Sequence, residues 1–293
     1  MHGKNQKISG RIGLVWTMIA GVLALSSAAL AQPNPNSPTT QWVPILYGNN
    51  IAGDLSSDQQ NGGAELDVVG NQSEPSFYLQ YSSGYLGFRL RLGADKNPPG
   101  FGGCAFVGLD VNRNGALDLF VGVNNQGNRD QIGIWQPGPG ANTSPGTTSV
   151  GTLFQTYAET SLTYDFTPIT PALDPTASNF DLNGDGNTDQ FLTFYVPLTD
   201  VTAALAARNM TFTASSLTDL MAITATQPNN LNGDINDVNG GIGSSSSWTQ
   251  LGALSQAYAP VSIISVPEPS AATFFGLAMI VTVCHLLGST RRY

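Results

Sequence analysis

The stretch FYLQYSSGYLGFRLRL, residues 77–92, limits the possible folds more than any other part of the chain. Leu86, Phe88, Leu90 and Leu92 alternate with Tyr85, Gly87, Arg89 and Arg91. A backbone of period two sends successive side chains to opposite faces, so this is a strand with an apolar inner face and a basic outer face. On that reading Arg89 and Arg91 stand on the outer face, paired with nearby aspartates. The Ser-Ser-Gly before the strand reads as a hairpin turn back to FYLQY.

The same pattern recurs in short pieces. CAFVGL, LDLFVGV, DQIGIWQ, TLFQTYA, SLTYDF, QFLTFYVPL, MTFTASS and SWTQLG are all strand candidates, separated by clusters such as PGPGANTSPGTT. One short helix is expected over 201–207, with Thr199 or Asp200 as its N-cap. About ten short strands with turn signals between them imply an all-β fold, a single jelly-roll-like β-sandwich of roughly 220 residues. A domain of that size buries a sufficient core without covalent staples.

The two ends read differently. Residues 1–31 combine Lys4, Lys7 and Arg11, an apolar run over 12–25 and the small-residue ending Ala29-Leu30-Ala31. That is the pattern of a secretory signal peptide, and an uncleaved anchor helix is the alternative. Residues 32–41, QPNPNSPTTQ, read as a flexible leader. The sandwich is then expected over 42–254, with a linker over 255–265. Residues 271–288 form an apolar run of 18 residues followed by Arg291 and Arg292. At about 1.5 Å per residue it just spans a bilayer core, with the arginines held on the cytoplasmic side.

Between the ends, residues 32–268 hold 6 basic and 20 acidic residues, a formal charge of −14. Such a surface repels nucleic acid and anionic lipid and attracts cations. Sixteen of the acids are Asp and four are Glu, a bias toward turns and metal-binding loops. His2 and His285 are the two histidines, both near the ends, so the region between them offers no Ser-His-Asp or Cys-His catalysis and no usual zinc site. A carboxylate pair remains as the means of glycoside hydrolysis; the expectation is a non-catalytic protein. Cys104 has no partner within the exported region and reads as a small buried hydrophobe.

A short internal repeat carries the clearest ligand pattern. DVNRNGALD and DLNGDGNTD place oxygen-bearing side chains at positions 1, 3, 5 and 9 and Gly at 6. Alternating oxygens around one ion, with Gly at the sharp turn, is a calcium-loop arrangement. The candidate ligands are Asp110, Asn112, Asn114 and Asp118 in the first loop and Asp181, Asn183, Asp185 and Asp189 in the second. Neither loop is an EF-hand, since position 12 is Val121 or Leu192. The competing reading is a plain hairpin turn, which Asn-Gly and Asp-Gly also favour. A third stretch, LNGDINDVNGG, lacks the spacing and reads as a polar loop. Trp42, Trp135 and Trp248 are candidate sugar platforms, although strand aromatics more often pack in the core.

Val266-Pro267-Glu268-Pro269, the apolar helix and the terminal arginines, taken in that order behind an export signal, resemble the PEP-CTERM sorting signal of Gram-negative bacteria. The resemblance implies that Pro267, Glu268 and Pro269 are recognised by an exosortase. It also implies that the chain leaves by the Sec machinery and is anchored transiently in the inner membrane before reaching the cell surface or extracellular matrix. In the middle region, YLQYSSGYLGFRLRL, FVGLDVNRNGALDLFVGV and FLTFYVPLTDV resemble the strands of DOMON-like and family-9 carbohydrate-binding-module-like sandwiches. That resemblance implies extracellular polysaccharide as a possible ligand, with no binding residue carried over.

Overall fold

The computed structural model describes residues 33–95, 100–127 and 129–263. The expected signal peptide, the apolar run over 271–288 and the sorting residues Pro267, Glu268, Pro269, Arg291 and Arg292 lie outside the described residues. No helix among the described residues is long and apolar enough to cross a membrane.

The chain builds β1 (Val43–Pro44), β2 (Leu46–Tyr47), β3 (Asn50–Ile51), β4 (Phe77–Ser82) and β5 (Tyr85–Leu92). There follow β6 (Cys104–Asp110), β7 (Leu119–Asn124), β8 (Gln131–Pro137) and β9 (Val150–Ala158). Then come β10 (Tyr164–Pro168), β11 (Gln190–Pro197), α1 (Leu198–Ala206), β12 (Asp219–Ala225) and α2 (Trp248–Leu251). One five-stranded sheet runs β1-β4-β5-β11-β10, the other β12-β6-β7-β8-β9, and β2 with β3 forms a small ribbon. All neighbours are antiparallel.

The inner stripe of β5 goes where its alternation sends it. Leu86, Phe88, Leu90 and Leu92, with Leu192, Phe194 and Val196 of β11, share one core with Val107, Val121, Ile132 and Leu220 of the second sheet. Two sheets facing each other across one core is the layering of a β-sandwich. Each such side chain contributes about 1.5–3 kcal/mol when fully buried. The β4–β5 turn places Ser83 at φ 53° and Gly84 at φ 84°, the left-handed pair that suits a two-residue hairpin. Gly122 lies opposite Phe106 on one side and Gly133 on the other. A Cβ there would sit 2.2 Å from the Ala105 carbonyl oxygen, so any larger residue forces the strands apart.

Several expectations are corrected. The strand order is not that of a jelly roll, in which successive strands alternate between sheets. Here β6, β7, β8 and β9 follow one another in one sheet as a meander. MTFTASS lies outside the strands, and SWTQLG forms the helical turn α2. Ser247 accepts from the Gln250 amide while the Gln250 side chain accepts from the Ser247 amide, and left-handed Gly252 ends the turn. Capping chemistry outweighs a short alternation there. Helix α1 starts earlier than expected, after Pro197, with no side-chain cap.

The largest difference is on the outer face of β5. Arg89 and Arg91 are both fully buried. The segment before β1 and the segment between β10 and β11 cover that face with Trp42, Ile169, Leu173 and Phe180. Arg89 sits 4.3 Å over the Trp42 ring and 4.9 Å over Phe191, and donates to Thr193 Oγ1 and the Pro35 carbonyl. A planar guanidinium stacks and hydrogen-bonds at the same time, which makes arginine tolerable here. Residues 33–41 are therefore packed rather than free: Ser37 and Thr39 are buried, Thr39 opens a 3₁₀ turn, and its hydroxyl donates to Asp174. At the other end Ser255 and Ala259 are buried, so the packed chain continues into the expected linker.

Candidate metal centre

Both Asp-Asn-Gly loops close on their own backbones. In the first, Asp110 accepts from the amides of Asn114 (3.1 Å) and Gly115 (2.7 Å), and Asp118 accepts from Val111 (2.9 Å). Asn112 donates its side-chain amide to Asp118, and Asn114 accepts from the Ala116 amide. The second loop repeats this design. Asp181 accepts from Asp185 (3.1 Å) and Gly186 (3.0 Å), and Asp189 accepts from Leu182 (3.2 Å). Asn183 accepts from the Asp185 amide and donates to the Gly93 carbonyl, and Asp185 accepts from Asn187. Position 1 thus holds positions 5 and 6, and position 9 holds position 2, in both.

The loops differ in what surrounds them. Asp189 is fully buried and lies 3.6 Å from Arg91, which also lies 3.7 Å from Asp174. Burial pushes the Asp189 carboxyl up to about 7, although Arg91 and the Leu182 amide pull it down. Hydrogen bonding, chiefly from the Asn187 amide, holds the exposed Asp185 below its ordinary value. Arg113, within the first loop, pairs with Asp219 at 3.0 Å. That pair borders a polar cavity of about 340 Å³ with Asp110, Asn114, Thr249 and Ser255 in its wall.

Three carboxylates meet elsewhere. Asp58, Asp67 and Asp234 bring ligand oxygens within 4.8 Å of one another, close enough to hold a metal ion together. Asp67 follows a 3₁₀ turn at Ala64–Leu66, Asp58 lies in the loop ahead of it, and Asp234 lies in LNGDINDVNGG beside the edge of β12. The two irregular segments are laced together: Gln60 donates to the Gly233 carbonyl, Asn61 to the Asn232 carbonyl, and Gly240 to Asp58. Asp67 and Asp234 are almost wholly buried. Asp67 accepts from the Ser57 amide at 2.8 Å, and Asp234 accepts from Val68 and Ile235, both at 2.8 Å. The inner oxygen of Asp58, Oδ1, is shielded from solvent and receives no hydrogen bond.

Burial raises the pKa of all three; repulsion from Asp58 adds to it at Asp67, and repulsion from Asp58 and Asp67 adds to it at Asp234. Asp54 beside them is raised well above its ordinary value by burial and by Asp234, and burial alone lifts Asp237 to about 6. No lysine or arginine pairs with the three among the described residues. A site of hard oxygens without imidazole or thiolate suits a hard divalent cation.

This centre was missed in sequence because its members are far apart: Asp67 and Asp234 are joined only through the fold. The local signal was the density of Asn232, Asp234, Asn236 and Asp237 in one stretch. The sugar-platform candidates fare otherwise, since Trp42, Trp135 and Trp248 are at most 5% exposed and pack in the interior. Cys104 is buried, its Sγ near Asn124 Oδ1 at 3.3 Å, as a small hydrophobe should be. Comparison of the chain with protein-family models, with curated proteins and with solved structures finds no match.

Proposed function

We propose that this chain is an exported cell-surface or extracellular-matrix protein whose acidic β-sandwich is non-catalytic, structural or adhesive, and braced by calcium. The observation that carries the reading is the Asp58–Asp67–Asp234 centre, which joins two irregular segments and gathers negative charge without a cationic partner among the described residues. Calcium is favoured over magnesium because it accepts irregular oxygen cages, whereas magnesium demands near-ideal octahedra. The Asp181 loop, with Asn183, Asp185 and Asp189, is the second candidate. The Asp110 loop is the weaker third, because Arg113 puts a positive charge within it.

Export rests on the sequence of the two ends. An exosortase-type enzyme would recognise Pro267-Glu268-Pro269 while the apolar run holds the precursor in the inner membrane. Removal of the run would then release the sandwich. Mass spectrometry of the surface protein tests this: its C-terminus should lie before Ala271, and the full-length form should accumulate in membranes when the sorting enzyme is absent. A surface protein still ending at Tyr293 refutes sorting. Polysaccharide binding is the second reading, favoured by the polar cavity beside Arg113 and Asp219. A glycan array separates the two readings, since a structural protein gives no saturable glycan signal.

A further inference from the structure

The chain holds five Asn-Gly pairs, at residues 61–62, 114–115, 183–184, 232–233 and 239–240. Such a pair can react with itself. The glycine nitrogen attacks the side-chain carbonyl carbon of the asparagine, a five-membered ring closes, and ammonia leaves. Glycine allows the approach because no Cβ stands in the way. The nitrogen has to be free to meet the side chain. An amide already committed to a hydrogen bond, or an asparagine fixed at both ends of its side chain, therefore reacts slowly.

Four of the five pairs are held. Gly115 donates to Asp110 at 2.7 Å, Gly233 to the Thr224 carbonyl at 3.0 Å and Gly240 to Asp58 at 2.8 Å. Asn183 is fixed by its own side chain, which donates to the Gly93 carbonyl and accepts from the Asp185 amide. Asn61-Gly62 differs. Both residues are exposed, and the Gly62 amide donates to no group among the described residues. The Asn61 side chain makes one bond there, from its amide to the Asn232 carbonyl at 3.0 Å. Position 62 also requires glycine: its φ is 99°, and a Cβ would lie 2.3 Å from the side chain of buried Leu66. The fold thus keeps a reactive pair in the loop that carries Asp58.

We propose that Asn61 is a site of spontaneous deamidation, and that the reaction unfastens the two segments that form the Asp58–Asp67–Asp234 centre. The Gly62 nitrogen bonds to Asn61 Cγ, the Cγ–Nδ2 bond breaks, and the proton lost by the Gly62 nitrogen leaves with Nδ2 as ammonia. Water then opens the succinimide at either carbonyl, giving aspartate or isoaspartate at position 61. The net reaction consumes one water and releases one ammonia. The product cannot donate to the Asn232 carbonyl. It also adds a negative charge to the loop of a centre whose three carboxylates have no cationic partner among the described residues. Both changes push the 54–67 and 231–241 segments apart. A cation at the centre draws them together, keeps Asn61 on Asn232 and so slows the reaction. That protection rests on the reading of the centre as a calcium brace; the choice of Asn61 does not.

The test incubates the full chain in mild detergent and mildly basic buffer, with excess calcium or with chelator. Peptic mapping by mass spectrometry follows each pair, and the chain unfolded in urea gives the reference rates. In the folded protein with chelator Asn61 should convert first. The four held pairs should each lag their own unfolded rate about fivefold or more, because a bonded group must first be released. Calcium should slow Asn61 by a similar factor. Asn61→Gln, whose longer side chain closes the ring slowly, should stay unmodified at 61. Asn61→Asp should melt about 2–4 °C below wild type in chelator, the effect of one lost hydrogen bond. Conversion of any held pair before Asn61 overturns the proposal, as does an Asn61→Asp variant that melts with wild type in chelator. An equal rate at Asn61 with and without calcium, in a protein whose melting temperature calcium does raise, overturns the protection. Absence of any calcium effect on melting refutes the brace instead, and the order of conversion among the five pairs still decides Asn61.

Discussion

Adding calcium at neutral pH should raise the melting temperature of this protein, and Asp67→Asn should remove most of the gain. Extracellular calcium modules bind with dissociation constants of roughly 0.1–1 mM, and a ligand at about 100 times its dissociation constant adds about 2.7 kcal/mol. For a domain of about 230 residues, 1 kcal/mol moves the midpoint by about 2–4 °C. The expected shift is therefore about 5–10 °C, read by differential scanning calorimetry in excess calcium against chelator. The pH dependence has a definite sign. The folded-state pKa values of Asp58, Asp67 and Asp234 are raised, so between their unfolded and folded values the native state binds more protons than the unfolded state. Without cation, the contribution of these three groups to stability is greatest below the unfolded value of about 4 and is lost as pH rises through the raised folded values. Calcium replaces those protons, so its effect should be small near pH 4 and grow toward pH 8. Asp67→Asn keeps an oxygen for the Ser57 amide while removing a buried charge. The metal-free variant should be as stable as wild type or more so, yet insensitive to calcium. A full calcium shift in Asp67→Asn and again in Asp58→Asn refutes the centre. A shift abolished instead by Asp185→Ala places the ion in the second loop.

Arg91→Met should cost about 3–5 kcal/mol in urea unfolding, because it strands Asp174 and Asp189 as buried charges, and the loss should shrink as pH falls and Asp189, no longer pulled down by Arg91, takes up a proton. An unchanged urea midpoint would show that the pairs contribute nothing net. Cys104, buried and with its thiol pushed up to about 12, should resist alkylation in the native protein and react at once in denaturant; rapid native labelling would mean that β6 opens locally.

The paired hairpin β4–β5 was legible because two signals agreed: alternation along each strand and a Ser-Gly turn between them. Most of β6 to β11 was legible on the same grounds. Alternation says which residues share a face but not what covers the face. Arg89 and Arg91 were correctly placed opposite the core stripe, yet their face is a second interior, closed by segments rich in Pro, Asn and Ser that carry no periodicity. Strand β12 was missed because DLMAITA is buried on both faces and shows no alternation. The Asp110 and Asp181 loops were visible as spacing within nine residues. The three-carboxylate centre depends on contacts over more than 160 residues, and no local window contains it.

The position of the acidic residues connects these features. Of sixteen aspartates, only Asp110, Asp165 and Asp219 fall within strands. Asp110 ends β6, Asp219 begins β12, and Asp165 lies on the edge strand β10. The inner strands β4, β5, β7, β8 and β11 contain no carboxylate, and their two cations, Arg89 and Arg91, are buried. Repulsion within the domain therefore acts on the irregular segments that cover the outer faces, and only weakly on the ladders beneath them. Removing a cation should loosen the 54–67 and 231–241 segments before it disturbs either sheet. On the proposed bracing, loss of the cation changes the cover of the domain and leaves its scaffold as it is.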